Sequence, residues 1–186
     1  MYVLGFYRES RRRSLRIGLL NAYILAETAK GAVMDSKDRQ ILTALQADGR
    51  LTNQELSERV NLSPSPCLRR VRILEEAGVI RGYTALVDQK AWGLPVTVFI
   101  RIKLERHGDD IVRKFEKAVM AMDEVMDCWM MTGRADYQLR VIAADLDAYE
   151  SFVRQKLHRV EGIASIDTSF AYGNVKHGQV FPRVES

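Results

Sequence analysis

The residues best suited to chemistry in this 186-residue chain lie in the stretch NLSPSPCLRRVRILEEAG, residues 61–78. The stretch combines two serines with three arginines, namely Ser63, Ser65, Arg69, Arg70 and Arg72. Guanidinium groups bind guanine edges and phosphates through their fork of N–H donors, and serine hydroxyls at a helix N-terminus bind phosphate. The pattern indicates contact with a nucleic-acid duplex. On their own, however, arginines on an exposed helix face are equally well explained as solvated charges.

A second candidate is the stretch TGRADY, residues 132–137, in which Gly133, Asp136 and Tyr137 bring a glycine, a carboxylate and a phenol to one turn. A carboxylate can hold an ammonium group, and the backbone N–H groups of a glycine-containing turn can hold a carboxylate. Those two groups are the ends of a free amino acid. On chemistry alone an ordinary hairpin turn is the simpler interpretation, so both interpretations stay open at this point.

Three helices are predicted to position the serines and arginines of the first candidate. Their start and stop signals are, in chain order, Asp35 with Gly49, the capping box Thr52 with Glu55, and Ser63-Pro64 with Gly78. A tight turn joins the last two helices, and the residues after Gly78 read as a wing. The sequence therefore predicts a winged helix-turn-helix.

The third helix is predicted to have an apolar face and a basic face. The apolar stripe consists of Cys67, Val71 and Leu74, and the opposite side carries Ser65, Arg69 and Arg72. Arg70 lies beside the apolar stripe, where it suits either a phosphate or an internal carboxylate. Ile73 falls on the outer half, where we expect Ile80 of the wing to cover it.

A second module begins near residue 96, where the alternation of apolar and polar residues changes to that of strands. The predicted order is strand 96–104, a helix from Gly108, strand 125–132, strand 137–143, a helix from Leu146 and strand 163–172. This βαββαβ order predicts an α+β protein, with a winged helix-turn-helix followed by a ferredoxin-like domain. Apolar residues on both faces of the sheet, Cys128 and Met130 against Trp129 and Met131, predict that a second copy covers its open face.

The charge of the chain is concentrated at its start. Residues 1–33 hold six basic and two acidic side chains, which accounts for the whole net charge of +4 and leaves 22 of each sign in the remainder. We interpret 1–33 either as an extension ahead of a start at Met34 or as an arm that packs on the body or touches DNA phosphates. The sequence contains no run of about 18 apolar residues, so no membrane span is predicted. The two cysteines, which are far apart, favour a reduced cytoplasmic protein without a disulfide framework or a metal site.

Two other classes of function are disfavoured by the sequence. The same βαββαβ topology hosts RNA-recognition modules, but the strand at 137–143 lacks their aromatic signature. An enzyme is also disfavoured, because His107, His158 and His177 are scattered and no phosphate-binding or dinucleotide-binding motif is present. We therefore predict no catalytic residues and no cofactor, and we expect the three histidines to be surface groups.

The stretch from Asp35 to Asp88 resembles the DNA-binding half of the Lrp/AsnC (feast/famine) family of bacterial regulators. The likeness is carried by LSPSPC at 62–67, Arg69-Arg70-Val71, Leu74-Glu75, Gly78, Ile80 and Gly82-Tyr83. The Gly-x-x-Asp-Tyr element at 133–137 is similar to the effector-contact turn of that family's C-terminal domain, and the likeness extends to about Lys176. The resemblance implies a transcriptional regulator that binds double-stranded DNA, senses an amino acid and assembles as a homodimer that builds octamer-like rings.

The predicted organisation has five parts: an extension at 1–33, the winged helix-turn-helix at 34–82, a hinge strand and linker at 83–95, the βαββαβ domain at 96–176 and a tail at 177–186. Thr52 and Asn53, at the start of the second helix, join the serines and arginines as predicted DNA-binding residues, and Thr168 of the last strand joins the predicted effector site. The predicted localisation is the cytoplasm, in association with the nucleoid. The alternative function is an amino-acid-binding assembly scaffold that does not read DNA.

Overall fold

The computed structural model describes residues 34–178 and 180–182. These residues form two compact units, the first comprising 34–84 together with 178 and 180–182, and the second comprising 85–177. The predicted extension at 1–33 lies outside the described residues. Within the described ranges, none of the helices has the length and apolar character needed to cross a membrane.

The first unit contains three helices, α1 (Ser36–Ala47), α2 (Asn53–Arg59) and α3 (Pro64–Glu76). Asp35 starts α1 by accepting hydrogen bonds from the backbone of Lys37 and Asp38, and the predicted capping box of Thr52 and Glu55 starts α2. Asn61, with a φ of 51°, turns the chain from α2 into α3, a conformation that asparagine tolerates better than most residues. Gly78, with a φ of 69°, follows the end of α3 as predicted.

The core of the first unit is built from one face of each helix. Its buried members are Ile41, Leu56, Val60, Cys67 and Leu74, and Val71 and Ile80 pack against them. Residues 79–88, which include the predicted wing at 79–83 and the start of the predicted hinge strand, form neither helix nor strand. The tail returns to this unit, since the Phe181 N–H donates to Gln46 Oε1 at 3.2 Å.

The second unit is an antiparallel four-stranded sheet with its helices on one face. In chain order its elements are β1 (Val96–Leu104), α4 (Asp109–Met120), β2 (Val125–Met130), β3 (Tyr137–Ala143), α5 (Leu146–Gln155), a 3₁₀ turn (Leu157–Arg159) and β4 (Ile163–Phe170). The strand order is β2-β3-β1-β4, which is the predicted ferredoxin-like arrangement. The predictions for β2 and β4 each ran two residues too far, to 132 and 172.

One face of the sheet forms the core with the helices. The alternate β1 residues Val98, Ile100, Ile102 and Leu104 are buried there with Leu139 and Val141 of β3 and with Phe115, Phe152 and Leu157 from the helical side. Apolar residues recur at every second position of β1 and β3, and successive side chains of a strand point to opposite faces. These apolar residues therefore all lie on the face that packs against the helices.

The open face of the sheet is mixed rather than apolar. Ion pairs cross neighbouring strands, with Arg101 Nη1 at 2.9 Å from Asp167 Oδ2 and Arg140 paired with Asp127. Trp129 lies on this face opposite Gln138, whereas Cys128 and Met130 lie opposite Leu139 and Tyr137 on the helical side. The prediction that a second copy covers the open face thus depends on a surface that combines apolar and charged side chains.

We predict that Gly162→Ala destabilises the second unit by about 2 kcal/mol or more, because two separate effects add. Gly162 has a φ of 86°, and a Cβ at this position would lie 2.6 Å from Ile111 Cγ2. Gly93→Ala is the matched control, since Gly93 has a φ of 88° with open space around it. Urea unfolding of both variants measures the difference, and equal losses of stability would show that the contact with Ile111 contributes nothing.

Candidate DNA-binding face and effector turn

The start of α3 is fixed by Ser63, whose backbone has the extended conformation of an N-cap, and by Pro64 directly after it. The Ser63 side chain makes no capping hydrogen bond, so its hydroxyl is available to another acceptor or donor. Ser63 and Ser65 are both exposed beside the first turn of the helix. Pro64 and Pro66 have no backbone N–H, so Ser65 is the one residue among the first three of α3 that keeps this donor. The Ser65 N–H, the two hydroxyls and the positive end of the helix dipole are the groups that could bind a phosphate here.

The two sides of α3 differ as the sequence predicts. Cys67 and Leu74 are buried, whereas Arg69 and Arg72 are exposed on the other side of the helix. The expectation for Ile73 was wrong, because its side chain is 52% exposed and Ile80 packs against the core instead of covering it. An apolar side chain therefore lies on the same exposed surface as the two arginines.

Arg70 binds internal carboxylates, the second of the two alternatives that the sequence left open. Its Nη1 lies 2.7 Å from both Asp35 Oδ2 and Asp38 Oδ1 and so ties α3 to the start of α1. The backbone N–H of Asp38 and then the guanidinium of Arg70 lower the pKa of Asp35, and the two carboxylates raise the pKa of Arg70.

Thr52 and Asn53 also have internal partners. In the capping box, the Thr52 N–H and the Thr52 hydroxyl each donate to Glu55 Oε2, and both distances are 2.8 Å. Asn53 Nδ2 donates to the carbonyl of Pro64 at 3.0 Å, which connects the starts of α2 and α3. In this structure Thr52 caps α2, and Asn53 joins α2 to α3.

The effector turn, residues 131–136, joins β2 to β3 and is held against the end of β1. Gly133 lies at its exposed tip with a φ of 111°, which a side chain would strain. At its base the Met131 N–H donates to the Asp136 carbonyl at 2.8 Å, and the Asp136 N–H donates to the Ile102 carbonyl at 2.8 Å. The turn therefore presents a constrained tip.

Asp136 is buried instead of exposed at the tip of the effector turn. Its Oδ2 accepts the Leu104 N–H at 2.9 Å, and its Oδ1 lies 3.0 Å from His107 Nε2. The role of Asp136 as a direct ligand of an ammonium group stays a prediction, and within the chain both of its oxygens have partners. These contacts fix the base of the turn.

Tyr137 is buried as well and follows the turn as the first residue of β3. Its hydroxyl donates to Glu116 Oε1 at 2.7 Å, and its ring packs on Phe115 with a centroid separation of 4.6 Å. Burial, followed by the hydrogen bond to Glu116, raises the pKa of the Tyr137 phenol. Tyr137 thereby ties the effector turn to α4.

Thr168 is not brought to the effector turn of its own chain. It lies on β4, where it pairs with Ile100, and the order β2-β3-β1-β4 leaves two strand spacings, about 10 Å, between β3 and β4. Its Oγ1 lies 2.9 Å from the Tyr149 hydroxyl. Gly133, Asp136 and Tyr137 are therefore the members of the predicted effector site that one chain brings together.

His107, which was predicted to be a surface group, contacts the base of the effector turn. It lies between β1 and α4, and its imidazole reaches Asp136 across 29 positions of sequence. No local spacing signals such a contact, because it depends on the pairing of β1 with β3.

Comparisons with known proteins agree with this division of the chain. Residues 34–81 match the family model for winged helix-turn-helix DNA-binding, and residues 97–181 match the Lrp/AsnC ligand binding domain. The Bkd operon transcriptional regulator of Pseudomonas aeruginosa is 42% identical over 144 residues, covering 77% of this chain and 94% of the relative. The leucine-responsive regulatory protein of Escherichia coli is 40% identical over 146 residues, covering 78% of this chain and 89% of the relative.

Solved structures show the same fold. A transcriptional regulator from Neisseria meningitidis, in complex with L-Met, superposes with a TM-score of 0.76 at 41% identity over 81% of this chain and 97% of the other. AsnC of Escherichia coli superposes with a TM-score of 0.72 at 27% identity over 81% of this chain and 100% of the other. The fold and both domains define a transcriptional regulator with a helix-turn-helix and a separate ligand-binding domain. The chain belongs to the Lrp/AsnC family.

Proposed function

We propose that α3 of this regulator enters the major groove of DNA and that Arg69 and Arg72 make its principal contacts there. The observation that carries the proposal is the exposure of both arginines on one side of a helix whose opposite side is core. Bidentate contact between arginine and guanine is the commonest specific contact in protein–DNA complexes. Ser63, Ser65 and the first turn of α3 bind a phosphate and fix the register of the helix.

Thr52, Asn53 and Arg70 act in this proposal by positioning α3. Thr52 fixes the start of α2 through Glu55, and the contacts of Asn53 with Pro64 and of Arg70 with Asp35 and Asp38 set the angle of α3 against the other two helices. Side chains that are held by neighbours within the protein lose little further freedom on binding, so a rigid α3 binds DNA at a lower entropic cost.

The effector of this proposal is a free amino acid bound at the exposed tip of the effector turn. Support comes from the constrained Gly133 tip and from two relatives, one described as leucine-responsive and one solved with L-Met. Backbone N–H groups of the tip and the exposed Arg134 hold the carboxylate of the amino acid. Asp136 and Tyr137 keep the tip in place.

The working form of the protein is proposed to be a homodimer that assembles further, up to an octamer, in the cytoplasm on chromosomal DNA. A twofold dimer supplies two copies of α3 for two half-sites. The open face of the sheet is the proposed dimer surface, where Trp129 and the paired charges Arg101 and Asp167 are available to a second copy. Effector binding then changes how dimers pack and thus the spacing of the α3 helices, a coupling of about 1–3 kcal/mol.

The proposal is tested by screening the twenty amino acids for a rise in melting temperature and then measuring DNA binding with each positive compound. We expect one or a few amino acids to stabilise the protein by about 2–3 kcal/mol at a hundredfold excess over Kd. The same compounds are expected to change the affinity for a fragment of the protein's own promoter by about 5-fold to 150-fold. A protein that binds the fragment but responds to none of the twenty would contradict the effector part of the proposal.

A further inference from the structure

His107 and Asp136 form a contact between an accessible imidazole and an inaccessible carboxylate. The side chain of His107 is 51% exposed and that of Asp136 is 5% exposed, with 3.0 Å between Nε2 and Oδ1. Solvent protons therefore reach the histidine directly, whereas the carboxylate is shielded. The other oxygen of Asp136 accepts the buried backbone N–H of Leu104, so movement of the carboxylate would disturb the end of β1.

The contact lies at the point where three segments meet. Through its backbone, Asp136 binds Ile102 of β1 and Met131 directly after β2, and through its side chain it binds the loop that carries His107. That loop is itself anchored, because the Glu105 N–H donates to the Gly162 carbonyl at 2.9 Å. Loss of the His107 hydrogen bond therefore affects the base of the effector turn directly, through the hydrogen bonds of Asp136.

We infer that His107 is a positioning residue for the amino-acid effector, in that its hydrogen bond to Asp136 holds the effector turn in the conformation that binds. This inference rests on the proposed effector function of the turn. His107 does not contact the amino acid; it acts through Asp136. With the proton on Nε2, the imidazole donates one hydrogen bond to the Asp136 carboxylate.

Three variants of the full chain separate positioning from a general loss of structure. His107→Gln keeps an N–H donor near the place of Nε2, and His107→Ala removes the donor. His158→Ala removes an exposed imidazole on the 3₁₀ turn and is the matched control.

The first measurement is amide hydrogen exchange without any amino acid present. We expect His107→Ala to speed exchange at the Leu104, Met131 and Asp136 amides by about tenfold, the value of one hydrogen bond to a charged group. His107→Gln should restore most of the protection, and His158→Ala should leave it unchanged. Exchange in His107→Ala equal to that of the unmodified protein would overturn the inference, whether or not any amino acid binds.

The second measurement is calorimetric titration with L-methionine and with L-leucine. The unmodified protein and His158→Ala should bind with equal affinity, and His107→Ala should bind about tenfold more weakly than His107→Gln. Effector affinity in His107→Ala equal to that of the unmodified protein would also overturn the inference. Failure of both amino acids to bind the unmodified protein would count against leucine and methionine as effectors, and the exchange data would still decide the role of His107 in the turn.

Discussion

Replacing Arg69 and Arg72 together with alanine is expected to remove sequence-specific DNA binding while leaving the fold intact. Both side chains are exposed on α3, on the side away from Cys67 and Leu74, so their truncation opens no cavity. If each arginine contributes about 1–3 kcal/mol to discrimination between bases, the double variant loses roughly 30-fold or more in affinity for its site. A gel-shift titration on the protein's own promoter measures this loss, and circular dichroism reports the fold.

The dependence on salt distinguishes base contacts from phosphate contacts in the same experiment. Each lost phosphate contact lowers the slope of log K against log salt by about 0.9, whereas a lost base contact leaves the slope nearly unchanged. The charge-matched control is Arg39→Ala/Arg50→Ala, which removes two positive charges from α1 and the turn after it. Equal affinity of the Arg69/Arg72 variant and this control would contradict the assignment of α3 and favour the alternative of a scaffold that does not read DNA.

The parts of the fold that could be predicted from sequence are those that depend on neighbours in sequence. The serine and proline at 63 and 64 and the glycine at 78 determine α3, because capping and backbone conformation act within a few residues. The strict alternation in β1 and β3 gave their bounds correctly for the same reason. The prediction for β2 ran too far because its apolar residues continue beyond Met130, where the Met131 N–H turns to the carbonyl of Asp136.

The parts of the site that could not be predicted depend on partners far away in sequence. Arg70 reaches its carboxylates across 35 and 32 positions, and Leu104 reaches Asp136 across 32. A carboxylate at a glycine-containing turn suggests a ligand for an ammonium group, and only strand pairing determines that Asp136 faces inward. Thr168 was assigned to the site for its place on β4, and the strand order separates it from the turn. Whether a polar residue near a turn binds a ligand or supports the turn thus depends on its burial, and burial cannot be read from the sequence.

Replacing Asp136 with alanine is expected to destabilise the second unit by about 1–3 kcal/mol and to abolish the response to the effector. The loss follows from the Leu104 N–H, which is buried and would have no acceptor, and from the base of the turn, which would lose its link to His107. Asp167→Ala is the matched control, because its ion pair with Arg101 is exposed on the open face and contributes less than about 1 kcal/mol. Urea unfolding of both variants measures the difference, and a loss no larger than that of the control would show that Asp136 does not support the turn.

Asp136→Asn separates the charge of the carboxylate from its shape. The asparagine oxygen can still accept from the Leu104 N–H, but the carboxylate oxygen opposite His107 Nε2 is replaced by an NH₂ group. We therefore expect the variant to keep more of the stability of the second unit than Asp136→Ala and to bind the effector more weakly than the unmodified protein. Urea unfolding and effector titrations measure the two effects, and a loss of stability as large as that of Asp136→Ala would show that the hydrogen bond to Leu104 does not support the turn.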